Sequence, residues 1–365
     1  MVSAQRPRIG VVRETVPGER RVALVPKVIT QLIGKGLDVV VESGAGEAAL
    51  LPDSAFEAAG AVIGNPWDCD VVVKVAEPSS EEIAKLAAGT RLIGFLNPRS
   101  QENQIGELKA KGVEAYAMEA IPRISRAQVM DALSSQNNVA GYKAVLVAAD
   151  QLTRFFPMLT TAAGTVKPAT VMVLGVGVSG LQALATARRL GARTIGYDVR
   201  PEVAEQVKSV GAKWLDLGIE AAGEGGYARE LTDEEKALQQ ERLAAAIGEA
   251  DAVITTALVP GRRAPILVTA DAASRMKPGS VIVDLAGETG GNCELTEPGE
   301  TVVKNSVTIC SPLNLPATMP EHSSELYAKN IQALLELMLN DEGAIAPDFE
   351  DEILAGACVT RDKEA

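Results

Sequence analysis

The chain has 365 residues, 47% of them hydrophobic, and carries a formal net charge of -13. This is enough apolar content for two domains with separate cores. The acidic balance argues against a nucleic-acid partner, whose binding rests on Lys and Arg neutralising phosphates. Cys69, Cys293, Cys310 and Cys358 lie far apart with no CxxC spacing, so neither a disulfide framework nor a metal site is expected, and a reducing cytoplasm fits.

Aromatic residues make up only 3%, and Ala, Val, Leu and Gly dominate. That composition suits parallel α/β architecture, in which small aliphatic strands are covered by Ala-rich helices. The start, MVSAQRPRIGVVRE, has no apolar run of signal-peptide length. Pro168–Ala187 carries no charge and is long enough to span a membrane, but Gly175, Gly177, Ser179, Gly180 and Gln182 interrupt it. It reads as buried strand, turn and helix, and no membrane span is expected elsewhere.

In chain order, short strands are predicted at Arg8–Arg13, Asp38–Ser43, Asp70–Val75, Arg91–Leu96 and Glu114–Glu119. Between them, segments such as Pro26–Gly36 and Ser80–Gly89 place apolar residues three and four apart and close on Gly. This alternation predicts a first parallel sheet. Next comes IPRISRAQVMDALSS, Ile121–Ser135. On a helix its Gln128, Asp131 and Ser134 would lie near one face. A solvated, capped helix start and a cleft lining both fit this segment. A helix is expected from Ser134 to Thr160, although Gly141 and Pro157 weaken it.

A second series of strands follows at Thr170–Gly177, Arg193–Val199, Ala252–Leu258, Ser280–Gly287 and Val307–Pro312. A helix is then predicted over Ser323–Leu339, with Tyr327, Ile331, Leu334, Leu335 and Met338 on one face and Ser323 or Ser324 as its N-cap. The tail from Asp341 is acidic and is expected to be mobile or loosely docked.

Gly175-x-Gly177-x-x-Gly180 joins a predicted strand to an Ala-rich helix beginning near Val178. In a dinucleotide fingerprint the first Gly permits the turn, the second lets the backbone approach a pyrophosphate, and the third lets helix and strand pack closely. The helix N-terminus then offers N–H groups to the phosphates. Asp198, near the end of the next strand, would accept from the adenosine ribose hydroxyls and repel a 2′-phosphate. That favours NAD over NADP, against which Arg200 is a counter-signal. Ile254–Leu258 ends a further strand where such folds place the nicotinamide ribose, and Asp284–Asn292 should form a cleft floor.

With these motifs placed, the chain resembles the soluble NAD(H)-binding component, domain I, of proton-translocating NAD(P) transhydrogenase. The resemblance covers essentially the whole chain. It rests on RISRAQ-MD-LSSQ-N-AGY (Arg123–Tyr142), GVGVSGLQA, DVR, GGYARE, TTAL-PG and VDLA-E-GGNCE, in that order. It implies two Rossmann-like domains, one formed by residues 1–130 and completed by 312–365, the other by 131–311. Arg123 would hold the cofactor near its phosphates, with Ile124 and Ser125 beside it. Gln128 would hold the nicotinamide-side ribose and reach towards the second nucleotide. Asp131 and Ser134 would position the carboxamide, making the segment a cleft lining. Gly175, Gly177, Val178, Gly180, Asp198, Val199, Arg200, Ala257 and Leu258 would contact NAD(H). Gly225–Glu230, including Gly226 and Tyr227, would be a mobile loop closing over it.

The implied partners are membrane-embedded transhydrogenase subunits, an NADP(H)-binding domain and a second copy in a homodimer. The implied location is cytoplasmic, peripheral to the membrane. The chain stops at Ala365 without membrane helices, as a separately encoded soluble part of the α subunit would.

Alanine dehydrogenase has the same architecture and is the alternative enzyme. Arg21 and Lys74 match two of its substrate residues, although on their own each reads as a solvated strand-end cation. Alanine oxidation also needs a proton acceptor near neutral pH. Asn97 stands where that relative has its His, and the only histidine, His322, reads as capping or solvated. Hydride transfer between nicotinamides moves no proton at the reacting carbons and needs only positioning groups. A non-catalytic NAD-sensing module is the third reading. One fingerprint means one nucleotide site, so NADP(H) would have to arrive on a partner.

Overall fold

The computed structural model describes residues 6–218, 232–258 and 262–361. The chain divides into two units, Met1–Gln136 with Pro316–Ala365, and Asn137–Leu315.

In the first unit, strands β1 (Arg8–Val11), β2 (Asp38–Val41), β3 (Val62–Ile63), β4 (Val71–Val73), β5 (Arg91–Gly94) and β6 (Glu114–Ala117) form a parallel sheet in the order β3-β2-β1-β4-β5-β6. Helices α1 (Pro26–Gly34), α2 (Asp53–Ala58), α3 (Ser80–Lys85) and α4 (Glu102–Ala110) connect them. Pro26 opens α1 where no N–H is needed, and Val28, Ile29 and Leu32 bury its inner face. The order reverses between β1 and β4, the switch point whose carboxyl edge holds ligands in such sheets.

The C-terminal segment completes this unit. Helix α10 (Pro320–Leu337) buries Tyr327, Ala328, Ile331, Leu334 and Leu335 in the same core as Ile9, Ile29 and Leu32. Each large side chain so buried contributes roughly 1.5–3 kcal/mol. The expected serine cap is not formed. The helix starts earlier, at Pro320, and both serines are drawn inside the first unit. Ser323 Oγ donates to the Pro316 carbonyl, and Ser324 Oγ accepts from the Val22 N–H. His322 is exposed in the first turn. The acidic tail is not loosely docked either. Helix α11 (Glu352–Ala357) buries Ile353, Leu354 and Ala357, and Cys358 bridges antiparallel to Tyr116.

In the second unit, β9 (Thr170–Leu174), β10 (Arg193–Tyr197), β11 (Lys213–Trp214), β12 (Ala252–Thr255), β13 (Val281–Asp284), β14 (Thr301–Lys304) and β15 (Val307–Cys310) form a sheet ordered β11-β10-β9-β12-β13-β15-β14. It is parallel except for β14, an antiparallel edge strand paired with β15. The central β9 is buried at all five positions, as a parallel strand covered on both faces must be. Its order reverses between β9 and β12. Helices α6 (Val178–Arg189), α7 (Ala204–Ser209), α8 (Asp233–Gly248) and α9 (Ala270–Ser274) complete the alternation. The α/β class with two Rossmann-like sheets is therefore as expected.

Helix α5 (Ala132–Gln151) contains the unit boundary at Gln136–Asn137 and ends well before Thr160. Pro157 and the constraint it places on the preceding residue stop a helix there. A hairpin of β7 (Leu159–Thr161) and β8 (Gly164–Val166) follows instead. Gly141 does not break α5, because a Cβ there would lie 2.1 Å from the Ser179 carbonyl oxygen, and glycine permits that approach. Most observed strands are shorter than the predicted apolar runs. The surplus residues, such as Lys74, Asp198 and Thr256–Leu258, leave the ladder at the carboxyl edge and carry the site groups. Among the described residues no helix is long and apolar enough to cross a membrane.

Candidate nucleotide-binding site

In the second unit the glycine turn connects β9 to α6. Gly175 has φ +88°, and a Cβ on it would fall 2.9 Å from the Ala257 nitrogen. A Cβ on Gly180 would fall 2.1 Å from the Gly175 carbonyl oxygen, whereas one on Gly177 would meet nothing within 4 Å. Two glycines are therefore required by the fold, and the third leaves the backbone open to an incoming group. Gly177 precedes Val178 at the start of α6, and no side chain caps the helix. An uncapped N-terminus with a bare approach suits an anion.

Asp198 follows β10 and fastens this turn. Its Oδ2 accepts from the Val176 N–H at 2.7 Å, and its Oδ1 accepts from the Arg200 N–H at 2.9 Å. The Arg200 guanidinium donates to both oxygens, at 2.9 and 3.0 Å. Burial alone would raise the Asp198 carboxyl, but the hydrogen bonds from Arg200 and Val176 outweigh it and hold it below its ordinary value. Burial and the Asp198 charge push the neighbouring Tyr197 hydroxyl up to about 12, against a hydrogen bond from Gln239. Val199 beside them is 54% exposed. At the end of β12, the Thr256 hydroxyl donates to the Gly175 carbonyl at 2.7 Å, and Leu258 is 53% exposed. Gly226 and Tyr227, with the rest of Gly225–Glu230, lie outside the described residues.

Sequence reasoning gives Asp284 no role beyond membership of the cleft floor. It is fully buried at the end of β13. It accepts from the hydroxyls of Thr255 and Thr296 and from the N–H groups of Ala286, Asn292 and Cys293. The sequence signal is an Asp closing an apolar strand ahead of Gly290–Gly291.

In the first unit, Ser125–Met130 forms a 3-10 turn, and Asp131, with ψ 81°, separates it from α5. Gln128, Asp131 and Ser134 therefore do not share one helical face. Asp131 instead caps α5. Its Oδ1 accepts from the Ser134 N–H at 2.9 Å and its Oδ2 from the Ser134 hydroxyl at 2.6 Å. Arg123, Ser125 and Gln128 are exposed, while Ile124 packs partly on the core. Two contacts hold the segment from beneath. Asn330 of α10 donates to the Val129 carbonyl, and Arg126 pairs with Asp351 at the start of α11.

Arg21 and Lys74 are not solvated. Lys74, after β4, is 0% exposed. Its Nζ lies 3.0 Å from Glu82 and 3.6 Å from Glu14, and donates to the Glu77 carbonyl. Arg21 is paired with Glu19 at 2.6 Å and donates to Gln136. Burial raises the Glu14 carboxyl, against the charge of Lys74 and the N–H groups of Val75 and Ala76. Asn97 sits in a left-handed turn at φ +45°, its side chain on Glu77 and its N–H on Glu119. Among the described residues no group of His, Cys, Asp and Glu side chains could hold a metal ion, and the four thiols are free and buried.

The N-terminal domain profile of the alanine dehydrogenase/PNT family matches residues 10–140, and the C-terminal domain profile matches residues 144–365. The chain is 45% identical over 370 residues to a separately encoded piece of the NAD(P) transhydrogenase alpha subunit of Rhodospirillum rubrum, covering 97% of this chain and 96% of that protein. It is 31% identical over 351 residues to alanine dehydrogenase of Bacillus subtilis, covering 92% and 86%. The crystal structure of transhydrogenase from Sinorhizobium meliloti matches with a TM-score of 0.87 at 44% identity, over 96% of this chain and 97% of that one. On both of its domains, and over nearly its full length, the chain belongs to the alanine dehydrogenase/PNT family and stands nearer its transhydrogenase α subunits than its alanine dehydrogenases.

Proposed function

We propose that this chain is the NAD(H)-binding component of a proton-translocating NAD(P) transhydrogenase. It passes hydride between its own NADH and NADP+ carried on a partner subunit. The observation that carries this reading is the glycine turn fastened by Asp198 and left open at Gly177, in a chain so similar to transhydrogenase α subunits. Gly175, Gly177, Val178 and Gly180 bind the pyrophosphate, and Asp198 binds the ribose diol once Arg200 yields part of its hold. Val199, Ala257 and Leu258 contact the nucleotide beside them. Arg123, Ile124, Ser125, Gln128, Asp131 and Ser134, on the first unit, orient the nicotinamide half.

Hydride transfer asks only that the reacting carbons be held about 3–3.5 Å apart. Asn97, which cannot titrate, fits a reaction with no general base better than it fits alanine oxidation. The partners are membrane-embedded subunits and an NADP(H)-binding domain, which make this chain peripheral to the cytoplasmic face. A second copy is also a partner. The β7–β8 hairpin stands outside both large sheets, with Met158 and Val166 exposed, and a lone two-stranded hairpin is marginal without something to pack on.

The test mixes the chain with the NADP(H)-binding partner domain and follows reduction of an NADP+ analogue by NADH. Transfer that requires the partner supports the reading. Alanine-dependent NADH formation by the chain alone overturns it. Gln128→Asn and Asp131→Asn should slow transfer on the order of a hundredfold, since misplacement of about 1 Å suffices for that, and should leave NADH affinity nearly unchanged. Normal transfer with lost binding would contradict their role.

A further inference from the structure

Asn292 follows Gly290 and Gly291, both at positive φ, and is 0% exposed. Its backbone N–H donates to Asp284 and its carbonyl accepts from Leu267 and Val268. The side chain is thereby held at a fixed height beside the end of β12. There its Oδ1 accepts from the Ala257 N–H at 3.0 Å, and its Nδ2 donates to the Ala257 carbonyl at 2.9 Å and to the Pro265 carbonyl at 2.8 Å.

The amide thus pairs with both polar groups of one residue, as a neighbouring strand would. The same Nδ2 also reaches the other stem of the segment between Ala257 and Pro265. Only an amide of this length does both. Asp has no donor for the two carbonyls, and Gln is longer by a methylene in a buried site. Ala257 is the residue against which Gly175 packs, and Thr256 donates to the Gly175 carbonyl. The position of Ala257 and the shape of the glycine turn are consequently set together.

We propose that Asn292 is a positioning residue for the nicotinamide nucleotide, pinning Ala257 and through it the glycine turn by two hydrogen bonds that imitate a strand ladder. The inference rests on the nucleotide reading above and adds a residue to it. Asp284 anchors Asn292, and Asn292 aims the strand end. A buried donor or acceptor left unpaired costs about 1–3 kcal/mol, which is enough to let Ala257 move.

The test compares Asn292→Ala and Asn292→Asp with Thr296→Val. Thr296 also donates to Asp284 but touches neither Ala257 nor Pro265 in the hydrogen-bond network, so its variant controls for stability. NADH dissociation constants and melting temperatures are measured on the full chain, and single-turnover transfer is measured with the partner domain. Both Asn292 variants should weaken NADH about tenfold or more and slow transfer from the bound state. Thr296→Val should lower the melting temperature and leave affinity within about twofold. If Asn292→Ala does not fold, Asn292→Ser, which deletes both donors with a smaller change in polarity, takes its place. Unchanged NADH affinity and transfer in the Asn292 variants would overturn the inference. So would losses of affinity that track melting temperature equally in Thr296→Val. Failure of the unsubstituted chain to bind NADH would instead count against the nucleotide reading itself.

Discussion

The two units repeat one strand order and use its switch point in opposite ways. In the second unit the carboxyl ends of β9 and β12 are kept open by glycines, with Leu258 and Val199 exposed around them. In the first unit the carboxyl ends of β1 and β4 are closed by the molecule's own charges, Lys74 between Glu14 and Glu82. The same topology makes a crevice in both, and the side chains at its edge decide whether it is a site or a core. Fold class alone therefore assigns no function to either unit.

The closed crevice gives the largest expected effect. Lys74→Met leaves Glu14 and Glu82 buried without their cation, and breaking such a cluster costs about 3–5 kcal/mol. Denaturant unfolding should show that loss, while NADH affinity, measured well below the new melting temperature, stays within about twofold. An equal loss of NADH binding would break the contrast between a structural and a ligand-bearing edge.

Next is the open crevice. Gly180→Ala drives a Cβ towards the Gly175 carbonyl and should weaken NADH on the order of a hundredfold, or about 2.7 kcal/mol. Gly177→Ala meets nothing in the free protein. It should keep the wild-type melting temperature and weaken NADH all the same. Wild-type NADH affinity in Gly177→Ala would remove the argument that this glycine is kept for a ligand.

The contrast was half visible in the sequence. The glycine spacing and Asp198 are local signals, because the turn, the helix start and the ribose acceptor lie on consecutive elements. The burial of Lys74 and Arg21 was not visible, because a charge goes inside only when its partners come with it. Lys74 draws Glu14 from after β1 and Glu82 from α3, and Arg21 draws Gln136 from α5. Ser323 and Ser324 failed as caps for the same reason, their hydroxyls being taken up by Pro316 and Val22. The Gln128–Asp131–Ser134 spacing misled because Asp131 ends a 3-10 turn and begins a helix at once. Gly226 and Tyr227 lie beyond what the described residues can address.

A smaller effect sharpens the specificity side of the open crevice. Asp198→Ala removes an acceptor from the ribose and releases the Arg200 guanidinium. A hydrogen bond to a charged group contributes about 1.5–3 kcal/mol, so NADH should bind roughly ten- to a hundredfold more weakly. NADPH should bind more tightly than to the wild type, since Arg200 then faces a 2′-phosphate. Titration of both nucleotides checks this, and an unchanged preference for NADH would move the discrimination elsewhere.

The smallest effect tests whether the closed crevice is optimised for stability. Glu14 faces Lys74, Glu19 and Tyr327 together with the N–H groups of Val75 and Ala76, and burial raises its carboxyl above the ordinary 4.5. A raised carboxyl binds its proton more tightly folded than unfolded. Its contribution to stability is full below the unfolded value and is lost as pH climbs through the folded one. Glu14→Gln keeps an oxygen for the Val75 N–H, removes the titration, and leaves Lys74 paired with Glu82. The variant should therefore melt a few degrees higher than the wild type near neutral pH, with the two curves converging as pH falls towards 4.5. Lower stability of Glu14→Gln at neutral pH would mean that Lys74 needs both carboxylates, and that the first unit's edge is held by its full complement of charge.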